Sequence, residues 1–122
     1  MNHILVIDDE QPILDIIQQV LMRFGYEVEV ASDGKEGIQK FDKGRFDLVL
    51  TDLKMPEVDG IGVLRHIRKS ARGLTPIIGF SGTPWLLKDS DFDIVFPKPF
   101  QLKDLVSAVQ DLSAKSSSAA AQ

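Results

Sequence analysis

The sequence predicts an α/β protein built on a doubly wound, five-stranded parallel sheet. Three observations predict it. Short apolar runs rich in branched residues alternate with amphipathic stretches at helical spacing. The alternation continues along nearly the whole chain, which calls for right-handed crossovers and a sheet covered on both faces. A length of 122 residues, with 43% hydrophobic and 26% charged residues, suits one domain.

The elements follow in order. "ILVI" (4–7) is a buried strand. In "EQPILDIIQQVLMRF" (10–24), Ile13, Ile16, Ile17, Val20, Leu21 and Phe24 recur at helical spacing. Pro12 sits in the first turn, where its missing N–H costs little, and Gly25 ends the helix. "YEVEVA" (26–31) alternates, as a half-buried strand near a sheet edge does. "SDGKEGIQKFDKG" (32–44) opens on a Ser-Asp-Gly start signal and closes at Gly44, a short helix weakened by Gly37. "FDLVLT" (46–51) is a second buried strand. "DGIGVLRHIRK" (59–69) is a helix with Ile61, Leu64 and Ile67 inward. "PIIGF" (76–80) and "DIVF" (93–96) are the remaining strands. "QLKDLVSAVQDL" (101–112) closes the fold with Leu102, Leu105, Val109 and Leu112 on one face. The domain is expected to span 1–112. Residues 113–122, "SAKSSSAAAQ", read as a low-complexity tail or the start of a linker.

Bulk composition narrows the function. A net charge of -4 argues against direct nucleic-acid binding, which wants a basic footprint. With no cysteine, neither a disulfide framework nor a cysteine metal site is available. No apolar run is long enough to span a bilayer, and the first residues do not form a signal peptide. The expectation is a cytoplasmic domain without membrane contact.

In an open parallel sheet, ligands bind outside the carboxyl ends of the strands. The first strand delivers Asp8 and Asp9 there, and "FDLVLT" delivers Asp52. "PIIGF" delivers Ser81, and "DIVF" delivers Lys98 within "PKPF". Taken singly, these residues say little: an Asp after a strand is often a cap or turn residue, and Glu10 reads as favouring a helix N-terminus. The combination carries the inference. Two unit charges at contact distance repel by roughly 4 kcal/mol at an effective dielectric of 20, so three carboxylates need a counter-cation or raised pKa values. An open all-oxygen cluster suits Mg²⁺ or Mn²⁺. Lys98 is a second counter-charge able to pair with a phosphoryl oxygen. A divalent ion, a lysine, a hydroxyl and a free carboxylate are the parts phosphoryl transfer needs.

"ILVIDDE", "DLVLTDLKMPEVDGIGVLRHIR", "PIIGFSG" and "KPF" together resemble the receiver domain of two-component response regulators, from about residue 3 to 112. The resemblance implies the flavodoxin-like receiver fold. It implies that Asp52 accepts a phosphoryl group from a histidine kinase, a phosphotransfer protein or a small phosphodonor. Asp9 and Asp52 match direct Mg²⁺ ligands, Asp8 a ligand acting mainly through water, and the backbone carbonyl of Lys54 the third protein ligand. Ser81 matches the hydroxyl, and Lys98 the lysine, that bind the phosphoryl group. Pro99 matches a proline commonly preceded by a cis bond, and Gly60 the tight turn of the phosphorylation loop. Such a domain catalyses only its own phosphorylation and dephosphorylation. It relays the change to an output domain or partner protein that the sequence does not name.

The chain also departs from the family. The family's aromatic, three residues before the lysine, is here Val95, and Phe96 should face the other side of the sheet. "GTPWLLKDSDFD" (82–93) is too short for the usual helix, so the fourth helix is expected to be short or irregular. Trp85 and Leu86 are read as covering the core this leaves open, with an exposed docking patch as the alternative. Lys54 sits where a side chain often tunes phosphoryl lifetime, although only its carbonyl is expected to matter. His66 is read as a solvated face residue, and Met55 and Pro56 as shaping the loop. Two rival functions stay open at this point: a degenerate receiver acting as a binding module, and a small phosphohydrolase working through an aspartyl-phosphate.

Overall fold

A computed structural model describes residues 2–87 and 90–121. Five parallel strands form one sheet in the order β2-β1-β3-β4-β5. They are β1 (His3–Ile7), β2 (Glu27–Ala31), β3 (Leu48–Asp52), β4 (Ile77–Ser81) and β5 (Ile94–Pro97). Among the described residues, four α-helices accompany them: α1 (Gln11–Arg23), α2 (Gly34–Lys43), α3 (Gly60–Lys69) and α4 (Leu102–Ala121). Among the described residues between β4 and β5, the regular structure is a 3₁₀ turn, Pro84–Leu87. The fold class and the shortened fourth helix are as expected. β2 lies at an edge with alternating burial, as its sequence pattern required.

Because β1, β3 and β4 are covered on both faces, their middles are apolar, and polar residues stand only toward their ends: His3, Thr51, Asp52 and Ser81. Successive side chains feed two cores. Ile4, Val6, Leu48, Leu50, Ile78 and Phe80 pack against α1 and α4. Leu5, Ile7, Val49 and Ile77 pack on the other side with Phe41, Val63, Ile67 and Phe92. Val95 belongs to the second core and Phe96 to the first, as strand alternation demands.

Local signals set most element ends. Pro12 lies in the first turn of α1, and Gly25 follows it at φ +90. The Asp33 carboxylate caps α2 by accepting the Glu36 N–H at 2.7 Å. Asp59 caps α3 by accepting from the Gly62 N–H at 2.9 Å.

Four expectations need correction. In α1, Leu14 is buried, whereas Ile16 (48%) and, at the helix C-cap, Phe24 (53%) are exposed. The apolar stripe is wider than the face that meets the sheet, so its flank stays wet. In α3, Val63 is buried, and Ile61 only partly. In α4, Leu102 is 37% exposed, and the buried face is Leu105, Val106, Ala108 and Val109. The helix also continues past Leu112 to Ala121. Ser113 is buried in it, donating to Val109 O at 2.7 Å and lying 3.0 Å from the Tyr26 hydroxyl. Alanine-rich sequence favours that continuation.

Trp85 is the fourth correction: it is 66% exposed and does not cover the core. Phe92 does so instead, 9% exposed, with its ring against Gly79, where a Cβ would lie 3.1 Å from the ring. Phe92 is held just ahead of β5 by Asp93, whose N–H donates to Ile77 O and whose carboxylate accepts the Ile77 N–H at 2.7 Å. The space is filled from that side, and the short turn leaves Trp85 outside. The side chain of Leu86 lies outside the described residues.

Candidate phosphoryl-transfer site

The carboxyl ends of the strands converge on one cleft, lined by Asp9, Glu10, Asp52, Leu53, Lys54, Ser81, Gly82, Thr83 and Lys98. Asp8 is fully buried beside it, and Asp52 is 5% exposed. Asp9 and Lys54 are exposed at the rim. All six residues singled out in the sequence therefore reach this end of the sheet.

Lys98 holds the cluster together. Its Nζ lies 3.2 Å from Asp52 Oδ1, 3.5 Å from Asp8 Oδ2 and 3.8 Å from Glu10 Oε1. Backbone donors fix the two buried carboxylates: the Leu53 N–H reaches Asp52 Oδ1 at 2.9 Å, and the Glu10 N–H reaches Asp8 Oδ1 at 2.9 Å. The peptide bond between Lys98 and Pro99 is cis. Gly60 allows the loop over Asp52 to close tightly, since a Cβ there would lie 2.4 Å from the Asp52 carbonyl oxygen.

The electrostatics are those of an excess of negative charge. Burial pushes the Asp8 pKa up, the Glu10 N–H offsets part of this, and the Asp52 charge adds to the rise, leaving it at about 6. Burial alone would lower the Lys98 pKa, but the charges of Asp8, Asp52 and Glu10 override it and hold the ammonium above its usual value.

A cation fits this donor set. Asp8, Asp9, Glu10 and Asp52 each offer an oxygen, all within 4.8 Å of one another. Asp8 Oδ2 is buried without a hydrogen-bond partner, an arrangement that native interiors avoid unless something else supplies the partner. Hard oxygen donors and an open rim are the preference of Mg²⁺.

Three features of the site escaped the sequence reading. The Glu10 side chain makes no capping bond to α1, although Glu10 is the N-cap residue, and its carboxylate leans toward Lys98 instead. Ser81 Oγ accepts the Thr83 N–H at 3.0 Å and lies 3.4 Å from Thr83 Oγ1. A Ser-x-Thr step after a strand is a hydroxyl-turn signal that could have been read. Glu57, in the loop after β3, adopts φ 64, which no residue type in "MPEVDG" announces. His66 is not merely solvated: it pairs with Asp42 of α2 at 2.8 Å. Met55, as expected, anchors the loop, 8% exposed in the second core.

A five-stranded doubly wound sheet with this acidic cleft and a lysine at its strand ends defines a receiver domain. The family model for the response regulator receiver domain matches residues 4–110, and the chain belongs to that family. Among curated relatives it is 34% identical over 119 residues to the transcriptional regulatory protein TrcR of Mycobacterium tuberculosis, covering 93% of this chain and 46% of that protein. It is 33% identical over 127 residues to the alkaline phosphatase synthesis transcriptional regulatory protein PhoP of Bacillus subtilis, covering 96% and 50%. The chain thus spans about half the length of these relatives. Among solved structures it is similar to the response regulator protein TrrA of Thermotoga maritima in complex with Mg(2+)-BeF. That match has 33% identity and a TM-score of 0.83, and it covers 92% of this chain and 99% of that one. Among the described residues, no helix is long and apolar enough to cross a membrane.

Proposed function

We propose that this chain is a phosphorylation-controlled switch that accepts a phosphoryl group on Asp52. The donor is a phosphohistidine of a histidine kinase or phosphotransfer protein, or a small phosphodonor. An Asp52 carboxylate oxygen forms the new bond to phosphorus as the bond to the donor nitrogen breaks, and the imidazole keeps that electron pair. The observation that carries this reading is the Asp52 carboxylate itself. It is nearly buried at a strand end, oriented by the Leu53 N–H and held 3.2 Å from Lys98, in a cleft open to a donor.

Asp9, Asp52 and the Lys54 carbonyl would hold Mg²⁺, or Mn²⁺ in its place, with Asp8 acting through water. When bound, the ion neutralises charge on the phosphoryl oxygens. Lys98 pairs with a phosphoryl oxygen, and Ser81 supplies its hydroxyl once it leaves Thr83. The chemistry is confined to the chain's own phosphorylation and dephosphorylation. The bound phosphoryl shifts the population of two conformations that an output domain or partner protein reads. Family membership and the Mg(2+)-BeF complex of the Thermotoga relative support this reading. The same family supports a cytoplasmic location. We assign the switch to residues 1–112.

Intact-mass spectrometry after incubation with acetyl phosphate tests it. A single Mg²⁺-dependent phosphoryl adduct is expected, absent from Asp52→Asn. Uptake by that variant at the wild-type level would overturn the assignment.

A further inference from the structure

The Lys98 ammonium faces three carboxylates, and two of them have fixed duties. Asp52 and Asp8 are buried and tied to backbone N–H groups. Glu10 differs. Its side chain is 63% exposed, makes no capping bond to α1, and places Oε1 3.8 Å from Lys98 Nζ. An acid at a helix start ordinarily stabilises the helix terminus. Here the side chain points across the cleft to the cation that must serve the phosphoryl group.

The geometry points to Glu10 as a positioning residue that restrains phosphoryl uptake by competing for Lys98 and repelling an anionic donor. This rests on Asp52 as the phosphoacceptor. For uptake from acetyl phosphate, the Asp52 oxygen bonds to phosphorus, the bond from phosphorus to the acetyl oxygen breaks, and acetate leaves with the electron pair. Lys98 turns from the carboxylates to the incoming phosphoryl oxygens during that step. Glu10 opposes it twice: it holds part of the ammonium's charge, and its own charge raises the energy of a dianion entering the cleft. Because the carboxylate is exposed, salt screens both effects.

The test is the initial rate of uptake from acetyl phosphate at saturating Mg²⁺, for the wild type, Glu10→Gln and Glu10→Lys, at low and high ionic strength. Removing one unit charge 3.8 Å from the Lys98 ammonium should raise the low-salt rate by about threefold. Glu10→Lys should raise it further, and both ratios should fall toward one at about 0.5 M salt. A purely structural role would give no such salt profile. Equal rates for the wild type and Glu10→Gln at low salt would overturn the inference, as would a ratio that salt leaves unchanged. A slower Glu10→Gln at saturating Mg²⁺ would also overturn it, by making Glu10 a cation ligand. Asp52→Asn run alongside separates the two readings: uptake by that variant sinks the phosphoacceptor, whereas a missing Glu10 effect with Asp52 intact sinks only the restraint.

Discussion

Two cations tie this molecule together at opposite ends of its sheet, and they are used in opposite ways. At the amino ends of β4 and β5, the Arg68 guanidinium donates from Nε and both Nη atoms. Asp91 O accepts at 3.2 and 2.8 Å, Gly73 O at 2.7 Å, Thr75 O at 2.6 Å and Asp93 Oδ2 at 2.9 Å. Arg68 thereby clamps the β4–β5 connection to α3, where a full helix would otherwise be held by its apolar face. At the carboxyl ends, Lys98 faces three carboxylates, and Asp8 Oδ2 stays without a hydrogen bond. A satisfied network makes structure. An under-supplied one keeps a place for a ligand.

Arg68→Ala gives the largest effect that tests this contrast. It takes a donor from the carbonyls of three residues and leaves the Asp93 carboxylate with the Ile77 N–H but without its cation, and should cost about 3 kcal/mol in chemical denaturation. Amide exchange should show the loss concentrated at Ile77 and Asp93. A change under about 0.5 kcal/mol, the scale of an ordinary surface substitution, would show that the clamp is decorative.

Next comes pH. Asp8 has a folded pKa of about 6 against an ordinary 3.8. The native state therefore binds more protons than the unfolded chain in that window. The stability contributed by Asp8 is full below pH 3.8 and is lost as pH rises through about 6. Without divalent ions, the wild type should lose on the order of 2 kcal/mol relative to Asp8→Asn between pH 4 and 7. Parallel stability profiles for the two proteins would deny that burial, with the Asp52 charge beside it, holds Asp8 against ionisation.

The smallest effect concerns backbone strain beside that end. Glu57 sits at φ 64, where a side chain is disfavoured. Glu57→Gly should stabilise the protein by about 0.5 kcal/mol, the relief of strain being partly offset by unfolded-chain entropy. Thermal unfolding reads it, and a destabilised variant would remove strain from the description of the loop.

Much of this was legible in the sequence. Strand alternation puts Val95 and Phe96 on opposite faces, and the strand-end rule gathers Asp8, Asp9, Asp52, Ser81 and Lys98 from sequence alone. The missing helical turn in 82–93 could be counted. What replaced it could not. Phe92 reaches Gly79 across the sheet, and Arg68 reaches backbone carbonyls up to 23 residues away. Trp85 illustrates the limit: its apolar bulk argued for burial, yet burial depends on whether another ring already fills the space.

The sequence by itself determined the alternation of strands and helices, the face each strand residue takes and the chemistry carried to the strand ends. These follow from backbone periodicities of two and 3.6 residues, which are local. Only the tertiary structure decided which charges are satisfied and which are left wanting. Hydrogen-bond partners come from segments distant in sequence, so the difference between the Arg68 clamp and the Lys98 cleft exists only once those segments meet.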